Sequence, residues 1–315
     1  MGLIADKSAV LTVQLLCEIP RFNRITRHNS LMKTPKRLES LIESGLIDEV
    51  LYALKSGKEA AVYVVRCGMT ICCAKVYKEA EQRSFRQSVL YQEGRKVRNS
   101  RRARAMEKGS RYGRQEQESA WQNAEVTALY RLADAGVRVP KPYNFIDGVL
   151  LMELVADAEG HPAPRLNDVV MSPEQAREYH AFLIAQIVRM LCDGLVHGDL
   201  SEYNVLVGQD GPVIIDLPQA VDAAANNHAR QMLERDVNNM ASYFGRFAPE
   251  LLTTRYGKEM WKLYQSGDLR PETALTGHFE EKAAPADLRS VMREIDTARQ
   301  ENEARLRFLQ ANGES

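Results

Sequence analysis

The texture of this chain changes once, near residue 155, from short strands to helices, and that change restricts the fold more than any other feature. Val50-Leu51-Tyr52-Ala53-Leu54, a turn at Ser56-Gly57-Lys58, Ala61 to Val65, a second turn near Gly68, and Thr70 to Tyr77 read as an antiparallel meander. Tyr143 to Ile146 and Val149 to Leu154 flank Asp147-Gly148, a strong hairpin signal. Beyond them, Ser172-Pro173-Glu174-Gln175 combines an N-cap, a proline at the first helical position and a capping-box glutamine. Tyr179, Phe182, Leu183, Ile187, Met190 and Leu191 form the expected buried stripe of the helix that follows, and Gly194 ends it. Two short strands, Val205 to Val207 and Val213 to Ile215, are joined by Asp210-Gly211, and helices are predicted from about Met232. Strands gathered in one half and helices in the other predict an α+β protein with two lobes meeting near Glu153 to Asp157.

Between Glu79 and Glu118 the apolar period fades. The cations Arg95, Lys96, Arg98, Arg101, Arg102, Arg104, Lys108, Arg111 and Arg114 crowd there, with Glu107 nearly alone against them, and such a stretch cannot build a core. It interrupts the first lobe, which resumes with a helix from Trp121 that carries Leu129 and Leu132 on one side and stops at Gly136. Over the whole chain 42 Lys and Arg balance 42 Asp and Glu, so any attraction to nucleic acid must be local. The cysteines Cys17, Cys67, Cys72, Cys73 and Cys192 are odd in number and lack CxxC spacing, which fits a reducing compartment. No run approaches the roughly 18 apolar residues of a membrane span, and Met1 to Pro20 lacks the basic-then-apolar order of a signal peptide. Asp6 stands where an N-myristoylation motif beginning Met1-Gly2 needs Ser or Thr. The expectation is an unanchored cytoplasmic protein without membrane contact.

The sharpest chemical constellation is His197-Gly198-Asp199, then Asn204, then Asp216 at the end of the apolar run Val213-Ile214-Ile215. Phosphoryl transfer needs these types in this order: one carboxylate to orient the attacking hydroxyl, an amide and a second carboxylate to hold metal ions on a triphosphate. Lys75, in the middle of the apolar Cys73-Ala74-Lys75-Val76-Tyr77, needs a partner or a phosphate. Glu125, on the inner face of the helix from Trp121, is the candidate for an ion pair that aims Lys75 at the α- and β-phosphates. The turn at Ser56-Gly57-Lys58 holds one glycine where the usual kinase loop has three.

Four blocks in order, Ser56-Gly57-Lys58-Glu59-Ala60-Ala61-Val62-Tyr63, Ala74-Lys75-Val76-Tyr77, His197 to Leu206 and Ile214 to Asp222, resemble the RIO family of atypical serine/threonine protein kinases. The resemblance runs from Leu46 to about Phe244 and takes in Leu233-Glu234-Arg235-Asp236. It implies a two-lobed protein-kinase-like fold, with a small antiparallel-sheet N-lobe and a mostly helical C-lobe, and an ATP-dependent kinase using Mg2+ or Mn2+. By that resemblance Ser56, Gly57 and Lys58 would cover the phosphates, Lys75 and Glu125 would pair, and Met152, Glu153 and Val155 would belong to the hinge that contacts adenine. Asp199 would be the catalytic base, and Asn204 and Asp216 the metal ligands; phosphorylation of Asp216 itself, giving an ATPase cycle, is implied by similarity alone.

Domain boundaries follow: residues 1–45 as an extension, 46–154 as the N-lobe with a basic insertion at about 79–118, 155–250 as the C-lobe and 251–315 as a helical extension, amphipathic from Leu288 to Leu309. The N-terminal extension is too short for the winged-helix domain that one subfamily carries, and the insertion matches the other subfamily. Gly198 replaces the arginine that reads a phosphorylated activation loop in conventional kinases, and Ala248-Pro249-Glu250 is not expected to close such a loop, because Leu233, Val237, Met240, Ala241 and Phe244 fill the interval at helical spacing. His197 is expected to bond backbone near Asp216. Two other functions stay open. A small-molecule phosphotransferase of the aminoglycoside or choline kinase type shares the His-Gly-Asp loop, and an ATPase switch could bind RNA or a ribosomal particle through residues 95–114. The protein substrate is not legible.

Overall fold

The computed structural model describes residues 34–57, 59–78 and 111–280, with the backbone alone described for 111–122. Lys58, the basic residues from Arg95 to Lys108 and the stretch from Leu288 to Leu309 lie outside the described residues.

Five strands, β1 (Glu49–Ser56), β2 (Ala60–Cys67), β3 (Thr70–Tyr77), β4 (Pro142–Ile146) and β5 (Val149–Glu153), form one antiparallel sheet in the order β1-β2-β3-β5-β4. The β4–β5 hairpin turns at Asp147 and Gly148, whose φ of 50° and 72° are the left-handed pair that a two-residue turn of this kind requires. Side chains alternate regularly across the β2–β3–β5 ladders, while β1 and β4 carry register shifts at the sheet edges. Cys72, Ala74 and Val76 of β3 with Val149 and Leu151 of β5 bury one face beneath α1 (Lys36–Glu43), whose Leu38 and Leu41 fill a small core with Ile47. Tyr77 and Leu150 take the opposite face and pack in the same cluster as Val126, Leu129 and Leu132 of α2 (Arg111–Asp134).

Helix α2 begins at Arg111, earlier than the Trp121 expected from the apolar period. Residues 111–120, RYGRQEQESA, lack that period, but six of the ten are Arg, Gln or Glu, whose intrinsic propensity favours helix. It stops as expected: Gly136 adopts a φ of 73° and the N–H of Val137 closes on Leu132 O at 2.9 Å.

The C-lobe is built on α3 (Pro173–Cys192), where Ser172 Oγ accepts from the N–H of Gln175 at 3.2 Å. Short antiparallel pairs follow: β6 (Leu195–Val196) with β9 (Val221–Asp222), and β7 (Val205–Gly208) with β8 (Gly211–Ile214). Helices α4 (Ala229–Phe244) and α5 (Tyr256–Ser266) pack on α3 and on each other. Leu233, Val237, Met240, Ala241 and Phe244 are all buried on α4, so turns and β9 are followed by helix over residues 229–244 and Ala248-Pro249-Glu250 lies beyond that helix. Leu251, Met260 and Trp261 join the same buried cluster, so the core continues past the boundary expected at residue 250. That cluster also contains Leu132 and Leu150 of the N-lobe, Leu183 and Leu191 of α3, and Met240 of α4. The two lobes thus share one continuous core. Phe182, expected in the stripe of α3, is only partly buried, whereas the polar His180 and Gln186 are inside at 2% exposure each.

Candidate active site

Strand β3 is flanked by β2 and β5, and its alternation turns Lys75 toward α2, with Val62 and Leu150 opposite it in register. A cation there must be matched. Lys75 Nζ donates to Glu125 Oε1 at 2.5 Å and to Asp216 Oδ1 at 3.3 Å. Glu125 reaches that position because it shares a face of α2 with Ala128, Leu129 and Leu132, and it is only 4% exposed. Its second oxygen accepts from Tyr77 OH at 2.7 Å, so both oxygens are bonded. Burial works against the ammonium of Lys75, but the two facing carboxylates outweigh it and its pKa is raised. Lys75 is therefore a fixed positive charge between the sheet, helix α2 and the end of β8.

The loop after β6 carries His197, Gly198 and Asp199. The backbone N–H of Asp199 donates to His197 Nδ1 at 3.3 Å, which assigns the proton to Nε2, 3.1 Å from the carbonyl of Ile215. This is the structural role expected for His197. Asn204 Nδ2 donates to the carbonyl of Asp199 at 2.8 Å, and the carbonyl of Asn204 accepts from the N–H of Ile215 at 3.0 Å. Ile215 is thus held on both sides, and the next residue, Asp216, adopts a φ of 67°. Such a conformation costs on the order of 1–3 kcal/mol in a residue other than glycine and persists only where neighbours over-determine it. Here it turns a half-exposed carboxylate toward Lys75.

Helix α4 fixes the loop from beneath, through residues the sequence reading did not assign. Asp236, 1% exposed, accepts from the N–H groups of Gly198 at 2.7 Å and Leu200 at 3.0 Å. Arg235 donates to the carbonyl of Gly198, and Asn239 Nδ2 to that of Leu200 at 2.9 Å. Burial pushes the Asp236 carboxyl up to about 6, against the opposing pull of His197, the two backbone N–H groups and Arg235. A signal was available, since an aspartate at a helical position between Leu233 and Val237 sits in an apolar stripe and must have partners. Asp199 is also raised, by burial first and then by Asp216, with His197 and Arg235 opposing. Gln219 Nε2 lies 3.4 Å from its Oδ2.

The other expected residues among those described, Ser56, Gly57, Met152, Glu153 and Val155, bond to different partners. Gly57 N–H closes the turn on Ala60 O at 2.9 Å, and Lys78 Nζ clasps it by donating to Gly57 O at 2.6 Å and Ser56 Oγ at 3.3 Å. Lys78, the residue after β3, was not singled out in the sequence. Met152, Glu153 and Val155 follow along β5 and its exit, where Glu153 is paired with Arg138 and the carbonyl of Val155 accepts from Ala163 N–H at 2.9 Å.

Among the described residues no group of three His, Cys, Asp or Glu side chains is placed to hold a metal ion. One carboxylate, Asp216, and one amide, Asn204, remain as oxygen donors linked through Ile215, a donor set too small for a resident ion and suited to one that arrives with phosphate oxygens.

A family model described as the RIO domain matches residues 61–256. The RIO-type serine/threonine-protein kinase Rio1 of Haloferax volcanii is 43% identical over 128 residues, 40% of this chain and 42% of that protein. The protein of the same name from Methanocaldococcus jannaschii is 32% identical over 215 residues, 68% of this chain and 69% of its own. The human serine/threonine-protein kinase RIO1 is 30% identical over 225 residues, 71% of this chain and 38% of that protein. The chain thus spans about two fifths of the Haloferax and human relatives that it matches.

Proposed function

Because the chain belongs to the RIO family, we propose that it is an ATP-dependent serine/threonine protein kinase that transfers the γ-phosphate to hydroxyls of a protein, itself included. The observation that supports this most is the meeting of Lys75 with both Glu125 and Asp216, while Asn204 and His197 tie the Asp199 loop to Ile215, the residue between β8 and Asp216. In this reading Lys75 holds the α- and β-phosphates and Glu125 aims it. Asp199 orients the attacking hydroxyl and receives its proton, a task helped by a carboxyl raised from its ordinary value. Asn204 and Asp216 would hold Mg2+ or Mn2+, which supplies charge neutralisation at the phosphates. Ser56, Gly57 and Lys58 would cover those phosphates, and the backbone of Met152, Glu153 and Val155 would take the adenine.

Gly198 bonds Asp236 and Arg235 where a conventional kinase presents an arginine, so switching by a phosphorylated loop is not proposed. No helix among the described residues is long and apolar enough to cross a membrane, and a cytoplasmic location is proposed. RNA or a ribosomal particle is the proposed partner of residues 95–114. Calorimetric titration with ATP and Mg2+ tests the site: wild-type protein should bind, Lys75→Ala should weaken binding at least tenfold, and Asp199→Ala should retain it while losing phosphotransfer. Unchanged affinity in Lys75→Ala would remove the phosphate-anchor role.

A further inference from the structure

Arg138, between α2 and β4, makes three ties to different elements: to Glu153 of β5, to Gln186 of α3 and to Ile214 of β8. Its guanidinium forms a fork on the hinge carboxylate, Nη1 to Glu153 Oε2 at 2.9 Å and Nη2 to Oε1 at 2.7 Å. The N–H of Lys141 adds a third bond to this carboxylate, the second on Oε2, at 3.0 Å. The backbone N–H of Arg138 donates to Oε1 of the buried Gln186 on α3 at 2.8 Å. Its carbonyl accepts from the N–H of Ile214 on β8 at 3.0 Å, two residues before Asp216. Hydrogen bonding to Glu153 raises the Arg138 pKa, and Glu153 is lowered although its burial acts the other way, so both stay charged.

This arrangement matters because a nucleotide is of fixed length. The base must meet the hinge while the phosphates meet Lys75 and Asp216, so the hinge and the end of β8 have to keep a set separation. Arg138 bonds the hinge through its side chain and β8 through its backbone. We propose that Arg138 is a positioning residue that holds the hinge in register with the Asp216 end of β8 and thereby sets the preference for adenine over guanine. The inference rests on the reading of this site as nucleotide-binding. Adenine offers a donor at N6 and an acceptor at N1, guanine the reverse at O6 and N1, so a hinge backbone fixed in one position discriminates between them. A hinge free to shift would not.

The test is calorimetric titration of the full chain with ATP and with GTP, each with Mg2+, for wild type, Arg138→Met, Arg138→Lys and Glu153→Gln, with thermal unfolding of each as a check on folding. Misplacement of a contact by about 1 Å can cost up to a hundredfold. For Arg138→Met about a tenfold weaker Kd for ATP is expected, with the Kd for GTP changed less than threefold. Arg138→Lys, which keeps the charge but loses the fork, should fall between. Adding Glu153→Gln to Arg138→Met should cause no further loss. A folded Arg138→Met with an unchanged ratio of the two Kd values would overturn the inference, as would a wild type without preference for ATP. If no variant at Arg138 or Glu153 folds, the tie serves stability alone and the inference is likewise overturned. A wild type that binds neither nucleotide would take the kinase reading down with it.

Discussion

Replacing Asp236 by Asn tests whether the loop that carries Asp199 is held by a buried charge. In the wild type that carboxylate is 1% exposed and accepts two backbone N–H bonds, and its pKa is pushed up from 3.8 to about 6. A group whose folded pKa lies above its unfolded value contributes stability that is complete below the unfolded pKa and is lost as pH rises through the folded one. Between pH 4 and 6 the wild type therefore gives up about 3 kcal/mol to keep Asp236 ionised, at about 1.4 kcal/mol per pKa unit. Asparagine does not titrate, so the variant escapes that loss. It can accept only one of the two N–H bonds, and the other buried N–H is left facing an amide NH2, at about 1–3 kcal/mol. The two terms oppose each other and net stability at pH 7 should change little, while the difference between variant and wild type should grow by about 3 kcal/mol in favour of the variant from pH 4 to 6. Thermal unfolding from pH 4 to 8 measures it, as a relative rise of roughly 6–12 °C at about 2–4 °C per kcal/mol. Phosphotransfer should fall about tenfold or more at pH 7, because the Gly198–Leu200 backbone loses its anchor. Parallel pH curves for variant and wild type, or full activity in the variant, would refute the reasoning.

Lys75→Met should destabilise the fold by about 3–5 kcal/mol, because it leaves the buried Glu125 carboxylate with Tyr77 alone; adding Glu125→Gln should recover more than half of that in urea unfolding without restoring ATP binding. His180, whose Nε2 has no hydrogen-bond partner among the described residues, is pushed down to about 4 by burial between Phe244 and Tyr256. Its folded pKa lies below its unfolded 6.5, so the unfolded state gains protons first and stability falls as pH drops from 6.5 toward 4. His180→Phe should remove about 2 kcal/mol of that loss at pH 5, read as a flatter acid limb in thermal unfolding. Reversing the charge of Arg98, Arg101, Arg102 and Arg104 together should weaken RNA association and its salt dependence while leaving ATP turnover unchanged, measured by filter binding across a salt series.

What the sequence disclosed were features that depend on spacing along the chain. The Asp147-Gly148 hairpin, the Ser172 cap and the Gly136 stop all follow from local rules, and the Lys75–Glu125 pair follows from a charge in an apolar strand forced to find a partner. Ties made by side chains to distant backbone were not legible. Asp236 and Asn239 reach Gly198 and Leu200 across more than thirty positions, and Arg138 joins Glu153, Gln186 and Ile214 from a loop whose sequence reads as a connection. The early start of α2 was missed for the opposite reason, since helix propensity without an apolar stripe leaves no periodic trace.

The most direct test of the central claim is to incubate the protein with γ-labelled ATP and Mg2+, alone and as Asp199→Ala and Asp216→Ala, and to challenge the labelled product with acid and with hydroxylamine. Acid-stable label on Ser or Thr, absent from Asp199→Ala, is the expected result for a protein kinase that modifies itself. Label removed by hydroxylamine and absent only from Asp216→Ala would instead mark an acyl-phosphate ATPase, and ATP consumption without any labelled protein would contradict transfer to protein hydroxyls.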